Sequence, residues 1–316
     1  MEKYIALLGN LWPEFRQTLR EQLATDISLL GEIDEKLLSN AGKMLRPLLA
    51  LLIARAAGAT NTADSVHVAA ASEILHNATL LHDDVADASA LRRGAPTLFS
   101  LMGAGPAVMV GDFWLASAVR CVMDISVRDR IMPLYASVLR FLSEGQLLEL
   151  AKSQAPDGNE ADYLRIIYCK TASLFETTCQ SAAIAAGATQ AQTEAAATYG
   201  NALGMAFQIR DDIFDYADDG AAIGKPVGID LREGKVTLPL IGALKRSGKS
   251  AEELLAQAEN EAAVQAFVRE HGGLDYARER MDAYIAAAGR ALDAFPASEY
   301  RDALSEIAQF VGSRRR

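Results

Sequence analysis

Two long stretches of this chain contain no proline, and they limit the folds that the chain can adopt. None of the nine prolines lies between Pro47 and Pro96 or between Pro156 and Pro226. Because proline breaks helix interiors, these gaps leave room for long uninterrupted helices. Alanine, the best helix former, is also the commonest residue. The sequence has no series of short alternating Val, Ile and Thr runs bounded by turns, which argues against an all-β fold.

Apolar residues recur at helical spacing along most of the chain. In the longest such segment Ala70, Ile74, Ala78 and Leu81 form one stripe. The predicted helices cover residues 12–40, 47–57, 63–88, 106–123, 128–152, 160–187, 192–216, 238–245, 251–260, 261–270, 274–294 and 298–312. No low-complexity linker divides the chain. We therefore expect a single all-α domain over residues 1–316, with its main helices packed as a bundle.

Charge and cysteine content exclude some partners and compartments. The chain has 31 Lys and Arg against 41 Asp and Glu, a net charge of −10, which argues against binding to nucleic acid. Cys121, Cys169 and Cys179 form no paired motif, as is usual in a reducing compartment. The N-terminal segment does not resemble a secretory signal, and apolar runs fall short of the roughly 18–20 residues that span a bilayer. A soluble, cytoplasmic protein is expected.

Two acidic clusters end long apolar helical patterns. Both read D-D-x-x-D, and they comprise Asp83, Asp84 and Asp87 in LLHDDVAD and Asp211, Asp212 and Asp215 in FQIRDDIFD. Residues four apart share a helix face, so the outer aspartates of each cluster point the same way, whereas the middle one is rotated by about 100°. Like charges at this spacing destabilise a helix. Mg²⁺, which binds through one or two carboxylates plus phosphate oxygens, explains the repetition better than two solvated helix ends do.

Basic residues in glycine-containing segments accompany the acidic clusters. They are Lys43 and Arg46 in GKMLRP, Arg92 and Arg93 in RRG, Lys225 in GKPVGIDL and Lys235 in GKVTLP. Glycine lets a loop approach a ligand closely, lysine reaches phosphate oxygens, and arginine offers a planar fork to phosphate. Each segment alone is typical of a solvated turn. Together with two metal-binding clusters, they indicate a site for two polyanions bridged by metal.

From Gly42 to Pro239 the motifs resemble those of the trans-polyprenyl diphosphate synthases, the family of head-to-tail prenyltransferases. The matching segments are GKxxRP, LLHDDVAD followed by RRG, Glu144-Gly145-Gln146, Lys170-Thr171, FQIRDDIFD and GKPVGIDLREGKVTLP. The local patterns are most similar to medium- and long-chain, octaprenyl-type synthases. The resemblance implies a bundle of the isoprenoid synthase type with a central active-site cavity, and a homodimer.

The resemblance also implies a Mg²⁺-dependent condensation of isopentenyl diphosphate with an allylic diphosphate, farnesyl or geranyl diphosphate. The metal ligands, for about three ions per site with substrate bound, would be Asp83, Asp87, Asp211 and Asp215. The allylic diphosphate would be bound by Arg92, Lys170, Thr171, Gln208, Lys225 and Lys235. Isopentenyl diphosphate would be bound by Lys43, Arg46, His76, Arg93 and Phe207. The catalytic set would be Asp83, Asp87, Lys170, Thr171, Asp211 and Lys225. Membrane contact would be peripheral at most, for product release.

The resemblance implies that product length depends on residues about one helical turn before Asp83. Ala78 and Thr79 occupy positions where short-chain relatives typically carry an aromatic residue. Because both are small, we expect a tunnel that continues deeper, and its candidate floor residues are Trp114, Leu134 and Phe141. The resemblance then implies a product of roughly C30 to C45, at about one C5 unit per ~5.4 Å turn. A short-chain farnesyl or geranylgeranyl diphosphate synthase is the alternative.

Three other functions fit less of the sequence. Glu73 and His76 form the ExxH unit of di-iron bundles, but such bundles need two of these units. A class I terpene cyclase would usually carry a different second metal motif and would not need Lys43 and Arg46. An inactive subunit of a hetero-oligomeric synthase would usually have lost aspartates, and this chain keeps all six.

Overall fold

The structure, a computed structural model, describes residues 1–40, 42–216, 233–257 and 261–313. Its helices are α1 (Glu2–Leu7), α2 (Leu11–Gln22), α3 (Ser28–Ser39), α4 (Leu45–Ala56), α5 (Ala63–Ala86), α6 (Leu98–Met102), α7 (Ala104–Met123), α8 (Arg128–Gln154), α9 (Glu160–Ile167), α10 (Ser173–Ala185), α11 (Gln190–Asp215), α12 (Leu238–Ser247), α13 (Ala251–Gln257), α14 (Glu261–Glu270), α15 (Gly273–Ala291) and α16 (Glu299–Ser313). A π-helical turn (Tyr168–Ala172) joins α9 to α10, and a 3₁₀ turn (Leu292–Ala294) follows α15. Two short strands, β1 (Leu91–Arg92) and β2 (Ala95–Pro96), form a hairpin.

The all-α prediction is confirmed, and most predicted helices lie within a few residues of the observed ones. The single helix predicted over 12–40 is wrong, because the chain leaves helical geometry between α2 and α3. There the Oγ1 of Thr25 accepts the backbone N–H of Ile27 at 3.2 Å, a local bond that competes with the helix. The break predicted at 93–96 is the hairpin, whose two turn residues both have positive φ, as a type I′ turn requires.

The chain divides into two compact units, and each is described by itself. Unit 1 comprises Met1–Tyr135, Thr178–Glu194 and Phe295–Leu304, and unit 2 comprises Ala136–Thr177, Ala195–Ala294 and Ser305–Arg316. In unit 1, α5 packs against α7, α4, α2 and α6. Its core includes the almost fully buried run from Pro47 to Ala54 in α4. The single-domain organisation stays a prediction.

Unit 2 is organised around α12, which packs against α15, α14 and α9. Its apolar core joins the end of α11 to these helices and contains Tyr216, Leu240, Ala243, Leu244, Ala251, Leu254, Val264, Phe267 and Val268. At roughly 25 cal/mol per Å² of buried apolar surface, such clusters provide most of the stabilisation of the fold. The cluster packs against the end of α11, which carries the predicted site residues Asp211 and Asp215.

One described helix, α7, is long and apolar enough to cross a membrane by length and composition. It packs along α5 in unit 1, and 44% of its most apolar window is buried. A core helix passes the same test. The three cysteines are free and buried, as the lack of a disulfide framework predicted.

Candidate active site

The first acidic cluster lies at the end of α5 in unit 1. Asp83 is half-buried and Asp87 is exposed, and the backbone N–H of Asp87 caps the helix by donating to the Asp83 carbonyl at 2.8 Å. Asp84 instead points inward: it is 4% exposed and accepts from Nε of Arg92 at 2.7 Å. Burial raises the pKa of Asp84, and the Arg92 hydrogen bond opposes that effect. The outer pair is therefore separated from the middle aspartate, as the helical spacing predicted.

A cluster of positively charged side chains surrounds Glu73, which lies about three helical turns before Asp83 on α5. Glu73 is 3% exposed and accepts from Nδ2 of Asn77 at 3.1 Å. Its burial raises its pKa, while Arg46, Arg93 and Arg16 act in the opposite direction. Three of the five residues predicted to bind isopentenyl diphosphate thus share one electrostatic environment. They are Arg46, His76 and Arg93.

Protonation states in this cluster follow from burial and from the arginines. Burial lowers the pKa of Arg46 to about 10, so the guanidinium remains charged at neutral pH. Burial, reinforced by Arg46, Arg93 and Arg92, lowers the pKa of His76 well below its usual value. His76 is therefore neutral at pH 7. The arginines that act on Glu73 and His76 disfavour a further cation between them.

In the segment before α4, the backbone of Gly42 packs against the guanidinium group of Arg93. A Cβ on Gly42 would lie only 2.7 Å from Cζ of Arg93, so glycine is needed for the guanidinium to pack there. Met44 is the N-cap residue of α4, and its backbone lies in the left-handed region at φ 47°. Its Sδ accepts a hydrogen bond from the Arg16 guanidinium at 3.2 Å. Lys43 is exposed beside it. Arg16 adds a positive charge beside Met44, and sequence reasoning missed it.

The second acidic cluster repeats the same arrangement at the end of α11 in unit 2. Asp211 and Asp215 are half-buried, whereas Asp212 is 5% exposed. Oδ2 of Asp212 accepts from the Tyr163 hydroxyl at 2.6 Å, and Oδ1 accepts from Nε2 of Gln208 at 2.9 Å. The middle aspartate is again an internal anchor. In both clusters it is buried and bonded rather than solvated.

A hydrogen-bond chain extends from Asp212 to the predicted catalytic threonine. Gln208 donates to Asp212, and its Oε1 accepts from the Thr171 hydroxyl at 2.9 Å. Thr171 and Lys170 lie in the π-helical turn between α9 and α10, a rare geometry that occurs often at functional sites. The structure thus brings Thr171 and Gln208 together, as predicted, and adds Tyr163.

Phe207 packs against the side chain of a buried arginine, Arg210. Arg210 is 6% exposed, and its guanidinium carbon lies 4.4 Å from the centroid of Phe207 and 5.7 Å from that of Phe214. It donates to Oδ1 of Asp211 at 2.8 and 3.3 Å. Arg210 therefore fixes one oxygen of Asp211, and its guanidinium group covers one face of the Phe207 ring. The predicted contact of Phe207 with isopentenyl diphosphate stays a prediction.

A cavity of about 190 Å³ in unit 2 contains most of the residues predicted for the allylic diphosphate. Its lining includes Lys170, Thr171, Gln208 and Lys235, together with Thr237. Lys170 Nζ donates to Glu149 Oε2, and Lys235 Nζ lies 3.6 Å from the same oxygen. Lys225, predicted for the same diphosphate, lies outside the described residues.

Sequence reasoning missed Glu149, Tyr163 and Arg210, and it considered Glu73 only as part of an ExxH unit. Tyr163 and Asp212 lie 49 positions apart, and no local pattern indicates such a bond. A weak signal existed for Glu149, an acid in the apolar run LLELA one turn after Gly145. Gly145 allows close packing there, since a Cβ on it would lie 2.7 Å from Cβ of Cys169 and 2.9 Å from Cγ of Lys170.

The outer aspartates are suited to a metal ion that takes its remaining ligands from the substrate diphosphate. Among the described residues, no three His, Cys, Asp or Glu side chains come together as a metal site. Each unit offers instead one pair of aspartates, Asp83 with Asp87 and Asp211 with Asp215, on a helix face. Mg²⁺ is usually bound in this way, by one or two carboxylates with the remaining ligands from phosphate and water.

The residues predicted to set product length lie in unit 1, where Ala78 is buried and Thr79 is half-buried. Ala78 is 1% exposed, and the Thr79 hydroxyl donates to the His76 carbonyl at 2.7 Å. Deeper along α5, the Ser72 hydroxyl is hydrogen-bonded to Tyr135 at 2.8 Å and accepts from Thr178 at 3.0 Å. These bonds link Ser72 of α5 to Tyr135 of α8 and to Thr178 of α10.

The candidate floor residues chosen from the sequence have contacts of their own. Trp114 is fully buried, and its indole N–H donates to Asp34 of α3 at 2.7 Å. Phe141 meets Tyr168 edge-on at 5.5 Å within unit 2, and Leu134 is half-buried. Their part in setting product length stays a prediction.

Comparison with known proteins places this chain in a family. The sequence profile of the family described as "Polyprenyl synthetase" matches residues 27–271. An octaprenyl diphosphate synthase of Haemophilus influenzae is 39% identical over 92% of this chain and 90% of its own length. The crystal structure of a decaprenyl diphosphate synthase from Rhodobacter capsulatus superposes with a TM-score of 0.92 at 33% identity, covering 100% of this chain and 99% of that one.

A second solved structure is that of a polyprenyl synthase from Caulobacter crescentus complexed with calcium and isoprenyl diphosphate. It has a TM-score of 0.89 and 36% identity, and the match covers 100% of this chain and 98% of that chain. The fold is thus the all-α fold of isoprenyl diphosphate synthases. The chain belongs to the polyprenyl synthetase family, and it is a prenyltransferase.

Proposed function

We propose that this enzyme condenses isopentenyl diphosphate with an allylic diphosphate in a Mg²⁺-dependent, head-to-tail reaction. The observation that supports this most strongly is the repeated arrangement of the two acidic clusters. In each, the middle aspartate is buried and bonded, by Arg92 or by Tyr163 and Gln208. The outer aspartates, which are half-buried or exposed, form a pair on one helix face that suits a hard cation and a diphosphate.

Isopentenyl diphosphate would bind in unit 1. Arg46 and Arg93 supply permanent positive charge, Lys43 supplies a mobile ammonium group, and neutral His76 can donate one hydrogen bond. Glu73 is the buried acid that interacts electrostatically with these guanidinium groups. With its diphosphate fixed, the homoallylic double bond is presented as the nucleophile.

The allylic diphosphate would be bound by Lys170, Lys235 and Arg92, with Lys225 as a further cation. Mg²⁺, held by Asp83, Asp87, Asp211 and Asp215, would stabilise the negative charge that develops on the departing diphosphate. Thr171 and Gln208 would direct oxygen dipoles at the allylic carbocation. The double bond of isopentenyl diphosphate attacks this cation. A proton then passes to the released diphosphate, and the chain is one C5 unit longer.

A medium- or long-chain all-trans product follows from the small size of Ala78 and Thr79 and from the octaprenyl and decaprenyl relatives. The test is incubation with isopentenyl diphosphate, Mg²⁺ and either farnesyl or geranyl diphosphate, followed by chromatography of the dephosphorylated products. Alcohols of roughly C30 to C45 are expected from the resemblance to medium- and long-chain synthases, in a tunnel where a helical turn of ~5.4 Å spans about one C5 unit. Products of C15 to C20 would support the short-chain alternative. A cyclic hydrocarbon formed without isopentenyl diphosphate would overturn the proposal.

A homodimer is proposed from the surface of unit 1. Helices α6 and α7 expose an apolar surface made by Leu101, Met102, Val108, Met109, Val119 and Met123. A surface of this kind commonly marks a protein interface. Light scattering should give twice the chain mass of 33.9 kDa. Met109→Glu should give a monomer, whereas Leu29→Glu, at another exposed apolar residue, should not; a monomeric wild type would overturn the assignment.

We place the enzyme in the cytoplasm, with at most peripheral membrane contact during product release. The charge of −10 disfavours strong binding to anionic lipid. Sedimentation with vesicles of phosphatidylglycerol and phosphatidylethanolamine tests this, and less than half of the protein should pellet.

A further inference from the structure

Glu149 on α8 is an acid in the cavity that would receive the allylic diphosphate. Its side chain is 18% exposed, and its Oε2 accepts from Lys170 and lies 3.6 Å from Nζ of Lys235. These are two of the cations that the mechanism assigns to the substrate. Lys235 has a second acidic partner, Glu233, at 2.7 Å, but that side chain is 48% exposed.

The position of Glu149 is fixed by the packing of α8 against the π-helical turn. Gly145, one turn earlier on α8, allows the stem of Lys170 to lie against the helix, since any Cβ there would lie 2.9 Å from its Cγ. Glu149, one turn after Gly145 on α8, therefore lies beside the ammonium group of Lys170.

The same cavity has an unsatisfied polar group. Thr237 is 7% exposed, and its buried Oγ1 has no hydrogen-bond partner among the described residues. Such groups are rare in native proteins and cost free energy unless a ligand or water satisfies them. A polar ligand entering this cavity would meet two cations that are already paired with Glu149.

We propose that Glu149 is a built-in counter-charge that competes with the diphosphate for Lys170 and Lys235. This rests on the proposed function. Without ligand, Glu149 holds the two lysines in place and limits their mutual repulsion. With ligand, the carboxylate remains beside the diphosphate, weakens its binding and speeds the release of pyrophosphate. An enzyme that adds several C5 units in succession must release pyrophosphate after each addition, so weak binding of this product favours turnover.

The experiment measures binding of inorganic pyrophosphate by calorimetry, with and without Mg²⁺. Glu149→Gln keeps the shape of the side chain and removes its charge, and Glu149→Ala removes the charge in a residue of high helix propensity. Both should bind pyrophosphate about tenfold more tightly than the wild type, because a like charge within a few ångströms is lost. The matched control is Glu144→Gln on the same helix, since Glu144 pairs with Arg140 and Arg165. Its affinity should stay within about twofold.

Turnover gives a second, independent result. If release is slowed, Glu149→Gln should lower kcat and the KM for the allylic diphosphate together, and adding Lys170→Ala should abolish the gain in affinity. Unchanged or weaker pyrophosphate binding by both Glu149 variants, with unaltered circular dichroism, would overturn the inference alone. A wild type that binds no pyrophosphate with or without Mg²⁺ would overturn the proposed function as well.

Discussion

Glu160, the first residue of α9, provides a quantitative test of how the site is supported. Its side chain is 9% exposed and accepts hydrogen bonds from Lys245 of α12, from the Tyr276 hydroxyl at 2.6 Å and from Arg280 of α15 at 2.6 and 3.0 Å. Helix α9 carries Tyr163, which anchors Asp212. Replacing Glu160 by Gln should therefore loosen three helices of unit 2.

The magnitude follows from the pKa of Glu160. Burial by itself would raise this pKa, but the hydrogen bonds from Lys245, Tyr276 and Arg280 outweigh burial and lower it from 4.5 to about 2. This difference corresponds to about 3 kcal/mol of folding stability at neutral pH. Because the folded-state pKa is depressed, the contribution is fully present well above pH 4.5 and is lost as the pH falls toward 2. At pH 3.5 about 1.4 kcal/mol of it should be gone.

Urea unfolding followed by circular dichroism measures this contribution. At pH 7 the free energy of unfolding of Glu160→Gln should be about 3 kcal/mol below that of the wild type, and the difference should shrink at pH 3.5. Asp275→Asn is the matched control, because Asp275 lies on α15 and is 67% exposed in its pair with Arg278. It should cost at most about 0.5 kcal/mol. A difference for Glu160→Gln that is below about 1 kcal/mol, or independent of pH, would refute the reasoning.

Three further predictions concern activity. Asp83→Ala and Asp211→Ala should each lower kcat by about two orders of magnitude or more in steady-state assays, because a metal ligand is lost; near-normal turnover with excess Mg²⁺ would contradict the metal assignment. Lys43→Ala and Arg46→Ala should raise the KM for isopentenyl diphosphate far more than that for the allylic substrate, and the opposite pattern would mean that the two diphosphate sites are exchanged. Ala78→Phe should stay folded and release products of about C15 to C20, since the ring lies one turn below Asp83. Wild-type product length in a folded Ala78→Phe variant would show that the chain does not grow along this helix face.

Local sequence patterns predicted much of the fold and the outer parts of the site. Proline-free stretches and apolar periodicity gave most helices, because both act within a few residues along the chain. The spacing of the D-D-x-x-D motifs correctly separated the middle aspartates from the outer pairs. Asp84 and Asp212 are indeed turned inward and bonded.

The missed features depend on contacts between distant segments. The partners of Glu160 lie 85 to 120 positions away, and Glu149 meets Lys170 across 21 positions. The π-helical turn that presents Thr171 has no composition that distinguishes it from the α-helices beside it. Such features follow from packing, as the close approach at Gly145 illustrates.

The proposed chemistry is tested most directly by its stoichiometry. Purified enzyme is incubated with farnesyl diphosphate, labelled isopentenyl diphosphate and Mg²⁺, and the released pyrophosphate is counted against the isopentenyl diphosphate consumed. Head-to-tail condensation predicts one pyrophosphate for each isopentenyl unit incorporated, and no release when the metal is chelated. Pyrophosphate release without incorporation of isopentenyl units, or incorporation that persists without divalent metal, would contradict the account.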